Sequence, residues 1–222
     1  MNPVLKRTLT GLTIGAAVIA AILTAPLPVF PWVIGALVVL ASAEYAQLLW
    51  RKRSELGFVF YLAMLVIGVI IIANGLFPLA RIAERGNVML LYVIAIIKFS
   101  DVGGFAFGLT SAKLLKNRGG NHKLCPLISP GKSWEGLFGS LVFSSAVSCA
   151  FMPWTGFAVG KAVLLGVIAA LTGTVGDLVE SKFKRWVGVK DSSAWKITNG
   201  MGGFLDMFDS LLIAPSVLMA MF

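Results

Sequence analysis

Apolar residues run along this chain in long blocks, separated by short clusters of charge, proline and glycine. A helix crossing a bilayer needs about 20 mostly apolar residues. Blocks approaching that length lie near Thr8–Ala25, Val29–Leu49, Phe58–Asn74, Val88–Gly108, Leu137–Phe151, Gly160–Val179 and Phe204–Phe222, the fifth being the shortest. Pro26, Pro28 and Pro31 make a tight connector, so the first two blocks are expected to form a hairpin. Lys6 and Arg7 before an apolar stretch imitate a secretory signal, but the run is longer than a signal core and a second block follows at once. The pattern predicts an all-α fold, a polytopic integral membrane bundle of about seven transmembrane helices. No internal repeat or low-complexity tract is visible.

Composition strengthens this reading. Of 222 residues, 58% are hydrophobic and 13% charged, against roughly 45–50% and about 25% in soluble domains. The mean hydropathy is +0.89. A soluble enzyme, a disordered chain and a secreted disulfide scaffold are all disfavoured, the last because Cys125 and Cys149 are the only cysteines.

The net charge of +9 would suggest nucleic acid in a soluble protein. Here the cations sit in connectors between apolar blocks, so no nucleic acid is expected; anionic headgroups and phosphate substrates are the expected partners. With the amino terminus in the cytoplasm, 15 of the 19 Lys and Arg residues fall inside; Arg81, Arg85 and Lys161 fall outside, and Lys98 lies within the fourth block. That bias favours N-in, in a bacterial inner membrane. Residues 1–97 then form amino-terminal helices. Residues 98–222 form a catalytic membrane region with two long cytoplasmic loops, 109–136 and 180–203, and the site is expected at the cytoplasmic rim.

Only ten carboxylates occur, and an ionisable group inside a span is a functional hypothesis by default. Asp177 closes the sixth block, with Ser181 and Lys184 following on one helical face; Asp206 and Asp209 open the seventh at i and i+3. Carboxylates reaching one rim from two helices suit Mg²⁺, which takes oxygen ligands and completes its shell with water and substrate phosphate. Helix capping and ion pairing are the plainer alternative, as for Glu180 with Lys184. Asp101 fits either a pair with Lys98 or contact with substrate. Glu44, near the end of the second block, is expected to snorkel to the interface.

Ser129-Pro130-Gly131-Lys132-Ser133-Trp134-Glu135-Gly136 contains a Gly-Lys-Ser tripeptide, but position 126 is Pro126 where a P-loop needs glycine. What remains is a turn offering Lys132 and Ser133 to phosphate and Trp134 to the interface. The second loop places Lys184, Arg185, Lys190 and Asp191 between the candidate metal ligands, and Gly202-Gly203 lets backbone approach a ligand closely. His122, the single histidine, reads as a solvated loop residue.

Together these motifs resemble the phosphatidate cytidylyltransferases (CDP-diacylglycerol synthases). The resemblance rests on Glu180-Ser181-x-Phe183-Lys184-Arg185-x4-Lys190-Asp191-Ser192 and Gly202-Gly203-Phe204-x-Asp206-x2-Asp209-Ser210. The 129–136 block and Asp101-Val102-Gly103-Gly104-x3-Gly108 support it. It covers roughly Lys98 to Phe222; before that only Glu44-Tyr45-Ala46-x-Leu48 echoes it. The chain departs from the family at Met201 and Met207, where His and Arg are usual, and its loop after Asp191 is about two residues longer.

The resemblance implies CMP transfer from CTP to phosphatidic acid, releasing pyrophosphate. It maps the metal-binding aspartates onto Asp177 and Asp206, with Asp209 alongside, and expects Mg²⁺ with a second monovalent or divalent cation allowed. Lys184, Arg185 and Lys190 are then expected at phosphate, with Lys132, Ser133, Ser181, Asp101, Asp191, Gly202 and Gly203 contacting substrate or metal surroundings. The alternatives are a CTP-dependent kinase or cytidylyltransferase acting on a lipid alcohol, a small membrane transporter using Asp101, Lys98 and Glu44, and an inactive scaffold. The oligomeric state is open, a homodimer included.

Overall fold

A computed structural model describes residues 3–116, 120–189 and 203–222, with side chains of the first helix from Gly15 onward and at Thr13. The order is α1 (Pro3–Thr24), a 3₁₀ turn (Leu27–Val29), α2 (Phe30–Trp50), α3 (Arg53–Leu56), α4 (Phe58–Ala83), α5 (Asn87–Leu114), β1 (Lys123–Cys125), β2 (Ser129–Ser133), α6 (Trp134–Ala150), α7 (Met152–Thr155), α8 (Val159–Val187), α9 (Phe204–Phe208), a 3₁₀ turn (Asp209–Leu211) and α10 (Ala214–Met219). Among the described residues four helical segments are long and apolar enough to cross a membrane, 27–50, 58–83, 87–114 and 159–187. The α1–α2 hairpin is held at its turn by Asn87, whose Nδ2 donates to the Leu23 and Ala25 carbonyls at 3.3 and 3.2 Å.

Two features differ from the sequence-based expectation. The loop after α5 is not wholly irregular: β1 and β2 pair antiparallel, Lys123 opposite Ser133 and Cys125 opposite Ser129. The expected seventh span, Phe204–Phe222, is not one continuous helix. It breaks between the 3₁₀ turn and α10, where Pro215 occupies the first helical turn and supplies no backbone N–H. The broken segment nevertheless runs the length of the bundle. Its start meets Glu44 near the end of α2, and Phe222 at its finish stacks on Phe157 at 5.9 Å beside Tyr92. Leu205, Leu211, Leu212, Ala214 and Leu218 are buried, so it is a core wedge. Gly75 of α4 admits it: a Cβ there would stand 2.3 Å from the Leu212 carbonyl oxygen.

Polarity is inverted on α6. Its buried positions are Gly136, Gly139, Ser140, Ser144 and Ser148, while Phe138 and Val142 face outward. In lipid, hydrocarbon contact gives helices no hydrophobic reason to associate, so small residues and interhelical hydrogen bonds do the packing. Gly103 and Gly139 approach so closely that a Cβ on either would lie 2.4–2.5 Å from the other's carbonyl oxygen. Ser140 and Ser144, one turn apart, donate to the Ser100 and Ile96 carbonyls of α5 at 2.9 and 2.8 Å; Ser148 donates to Ala162 of α8 at 2.6 Å. The glycines of the 101–108 motif thus seat α5 against α6, which places Asp101 beside the hairpin that carries Lys132.

Candidate active site

The site forms where α8 passes the C-terminal segment. Gly173 and Gly176 leave room for backbone: a Cβ at Gly176 would stand 2.4 Å from the Asp209 carbonyl oxygen, and one at Gly173 would touch Ser210. Beyond the glycines, α8 presents Asp177, Glu180 and Lys184 at i, i+3 and i+7, one face of the helix. The partner segment runs the opposite way, so Asp209 lies toward Asp177 and Asp206 toward Glu180 and Lys184.

Two charge clusters result. In the first, Lys132 of β2 pairs with Asp177 Oδ2. Asp101 Oδ2 accepts from Ser210 Oγ at 3.0 Å, and Lys98 Nζ donates to Ser210 Oγ at 2.9 Å and to the Met207 carbonyl at 3.0 Å. Lys98 stands 3.4 Å from Asp101, and Asp209 Oδ1 accepts from the Ser210 amide at 2.7 Å. The carboxylates of Asp101, Asp177 and Asp209 interact electrostatically with one another and with Lys98 and Lys132. In the second cluster, Lys184 pairs with Asp206 Oδ1 and lies 2.6 Å from Glu180 Oε2. Asp206 Oδ2 also accepts from the Gly203 amide at 3.0 Å, closing the first turn of α9. A cavity of about 320 Å³ opens beside the first cluster, lined by Asp101, Lys132, Asp177, Gly104, Ser133 and Thr174 among others.

Each cluster, fully ionised, holds one carboxylate more than it holds lysines: three against two, and two against one. Asp177 Oδ1 is buried with no hydrogen-bond partner among the described residues. A buried, unsatisfied carboxylate oxygen is costly, and an excess of hard oxygen donors is what Mg²⁺ requires. No group of three such side chains among the described residues is arranged to enclose an ion by itself, so substrate phosphate and water would complete the shell. On these observations the donor set fits a magnesium ion.

The expected site residues divide accordingly. Asp177, Asp206, Asp209, Asp101, Lys132, Lys184 and Gly203 stand in the two clusters or their hydrogen bonds. Asp177 and Asp206, expected to share one cation, are engaged by different lysines. Ser133 is buried as the N-cap of α6, its Oγ accepting from the Gly136 amide at 3.1 Å. Ser181 is half-buried on α8, and Arg185 is exposed and donates to the Val189 carbonyl at 3.4 Å. Lys190, Asp191, Gly202 and Met201 lie outside the described residues. Glu44 does not snorkel: it is 2% exposed, because its Oε2 accepts from the Leu205 amide. Lys98 and Ser210 link Asp101 to the C-terminal segment, a role that only a cation inside an apolar block hinted at.

His122 is exposed but not idle. Its Nδ1 lies 2.7 Å from Glu135 Oε1, which also accepts the His122 amide at 3.1 Å, clamping the hairpin to α6. These bonds favour the ionised carboxylate and lower its pKa to about 2. A lowered carboxylate pKa stabilises the fold above the unfolded value of about 4.3 and loses that contribution as pH falls toward the folded value. We expect His122→Ala to raise the Glu135 pKa toward the ordinary glutamate range, read by NMR titration of a side-chain-labelled protein. An unchanged titration would mean that the backbone bond alone sets it.

The sequence profile of the Cytidylyltransferase family matches residues 58–222, which include both clusters. The chain belongs to the cytidylyltransferase family. Among curated relatives, a Staphylococcus aureus phosphatidate cytidylyltransferase is 42% identical over 137 residues, covering 61% of this chain and 49% of the relative. One from Staphylococcus saprophyticus is 35% identical over 158 residues, covering 70% and 57%. One from Mycobacterium bovis is 38% identical over 144 residues, covering 62% and 41%. The chain thus spans about half the length of the curated relatives it matches. Gly103 and Gly104 seat α5 against α6, and Gly173 and Gly176 seat α8 against the C-terminal segment, so carboxylates on α5, α8 and that segment meet.

Proposed function

We propose that this cytidylyltransferase moves CMP from CTP to phosphatidic acid, giving CDP-diacylglycerol and pyrophosphate. The observation that carries the reading is the pair of lysine-bearing clusters with carboxylates in excess, which follow one another along the seam between α8 and the C-terminal segment inside the family-matched region. In this reaction a phosphatidate oxygen attacks the α-phosphorus of CTP, and the bond to the β-phosphate breaks. The attacking oxygen is already anionic, so no strong general base is required. The difficulty is bringing two polyanions together, which fixed cations and ordered dipoles overcome.

Asp177 and Asp209, with Asp101 beside them, would hold Mg²⁺ at the triphosphate, and Asp206 would hold a second cation. The metal supplies charge neutralisation at the reacting phosphates. Lys132 exchanges its Asp177 partner for phosphate as CTP binds, and Lys184 does the same from Asp206. Lys98 keeps Asp101 and Ser210 in register. Arg185 and Lys190 contact phosphate, Asp191 orients Lys190 or joins the surroundings of the metal, and Gly202-Gly203 lets backbone approach the nucleotide. The lipid enters sideways from the inner leaflet with its acyl chains left in the bilayer.

We place α1 and α6 across the membrane with the four longer helices and the broken C-terminal segment as a seventh embedded element. The residue-1 end is cytoplasmic, the site faces the cytoplasm, the membrane is a bacterial inner membrane, and homodimer formation is compatible with it. Purified protein incubated with radiolabelled CTP, Mg²⁺ and phosphatidate should yield a lipid carrying CMP together with pyrophosphate. A lipid alcohol supplied in place of phosphatidate and converted to its phosphate would assign a CTP-dependent kinase instead, and no CMP-bearing lipid from phosphatidate would remove the transferase reading.

A further inference from the structure

Glu44 and Tyr45 lie on α2, before residue 58, where the family match begins. Both touch residues next to the second charge cluster. Glu44 is buried, and its Oε2 accepts from the Leu205 amide at 2.7 Å. Leu205 is the second residue of α9, whose first-turn amides have no partner within so short a helix. Its neighbour Asp206 is the residue that grips Lys184. Tyr45 packs its ring 4.8 Å from Phe183, which immediately precedes Lys184, and its hydroxyl donates to the Met64 carbonyl at 2.8 Å. Gly68 of α4 accommodates that ring, since a Cβ there would stand 2.2 Å from it. One dipeptide therefore touches both elements that carry the Lys184–Asp206 pair.

A carboxylate buried in an apolar helix is costly and persists only with a specific partner. We propose that Glu44 is a positioning residue: its bond to the Leu205 amide sets the depth and rotation of α9, and thereby places Asp206 to hold its cation beside the reacting phosphates. An acceptor oxygen at this reach is what the bond needs, so glutamine suffices, leucine does not, and aspartate falls short by one methylene.

The kinetic consequence rests on the CMP transfer proposed above; the positional one does not. Glu44→Leu, Glu44→Asp and Glu44→Gln are compared with the unaltered protein in detergent, each checked for a monodisperse elution peak. Hydrogen exchange is followed in a peptide covering 203–208 and in one covering α5. In Glu44→Leu the 203–208 peptide should exchange about tenfold faster while α5 is unchanged. Its kcat for CMP transfer should fall about tenfold, the KM for phosphatidate should stay within about twofold, and half-maximal activity should require several-fold more Mg²⁺. Glu44→Gln should restore exchange and kcat to within about threefold. Should Glu44→Leu not fold, Glu44→Asp carries the same comparison.

Unchanged exchange at 203–208 would overturn the proposal, as would equal defects in folded Glu44→Gln and Glu44→Asp. If the unaltered protein transfers no CMP, the functional reading fails, and exchange at 203–208 still decides the positioning.

Discussion

Asp177→Asn is expected to lower CTP-dependent CMP transfer by about 10²–10³-fold, the scale of losing one preorganised charge contact at a reacting centre. The loss should fall on kcat and on the Mg²⁺ requirement rather than on KM for phosphatidate, because the lipid headgroup is met by other cations. The fold should survive. Asp177 belongs to a cluster with more carboxylates than lysines, and its Oδ1 is a buried acceptor without a donor among the described residues. Replacing that carboxylate with a neutral amide relieves repulsion with Asp209, and the amide oxygen can still accept from Lys132, so the thermal midpoint should hold or rise. Lys132→Met should behave in the opposite sense, lowering the midpoint because it strands Asp177 without its cation. Turnover above half of the unaltered level in Asp177→Asn would dismiss this residue from the chemistry.

Lys184→Met is expected to be the most destabilising single change at the site. Its ammonium lies between Glu180 and Asp206, whose side chains are 1% and 14% exposed. Removing one partner of a buried ion pair leaves an uncompensated charge and costs about 3–5 kcal/mol, far more than the pair contributes against an apolar replacement. The α9 turn should loosen first, since Asp206, whose Oδ2 accepts the Gly203 amide, loses its Lys184 partner. Thermal unfolding in detergent checks the prediction. Adding Glu180→Gln to Lys184→Met should recover a substantial part of the midpoint, because one buried negative charge is then gone. A midpoint unchanged in the single variant would show that water reaches the cluster and screens it.

How much of this was readable before the fold was known follows from what each feature depends on. A helix in lipid must satisfy every backbone N–H and C=O within itself, so the apolar blocks at α2, α4, α5 and α8 declare themselves locally. Asp177, Asp206 and Lys184 stood out for a similar reason, as charges beside or within apolar blocks. Glu180 with Lys184 and Lys98 with Asp101 were legible too, since i,i+3 and i,i+4 spacing puts them on one face. The break before α10 was less legible. Pro215 stands inside the expected seventh block, and a proline near a helix's first turn starts a helix as readily as it ends one.

Residue types, the four long apolar helices, the gathering of cations in the connectors and the glycine motifs were thus determined by the chain's own order. Beyond the pairs on a single helix, which polar group meets which partner was decided by the tertiary structure. Lys132 finds Asp177 across 45 residues, Lys184 finds Asp206 across 22, Lys98 finds Ser210 across 112, and Glu44 finds Leu205 across 161. Such partners depend on the rotation and depth of each helix. In a bundle that is apolar on both its lipid face and its core face, hydropathy carries almost no record of either. Rotation and depth are set by backbone contacts at Gly75, Gly103, Gly139 and Gly176, and those exist only once the helices have packed.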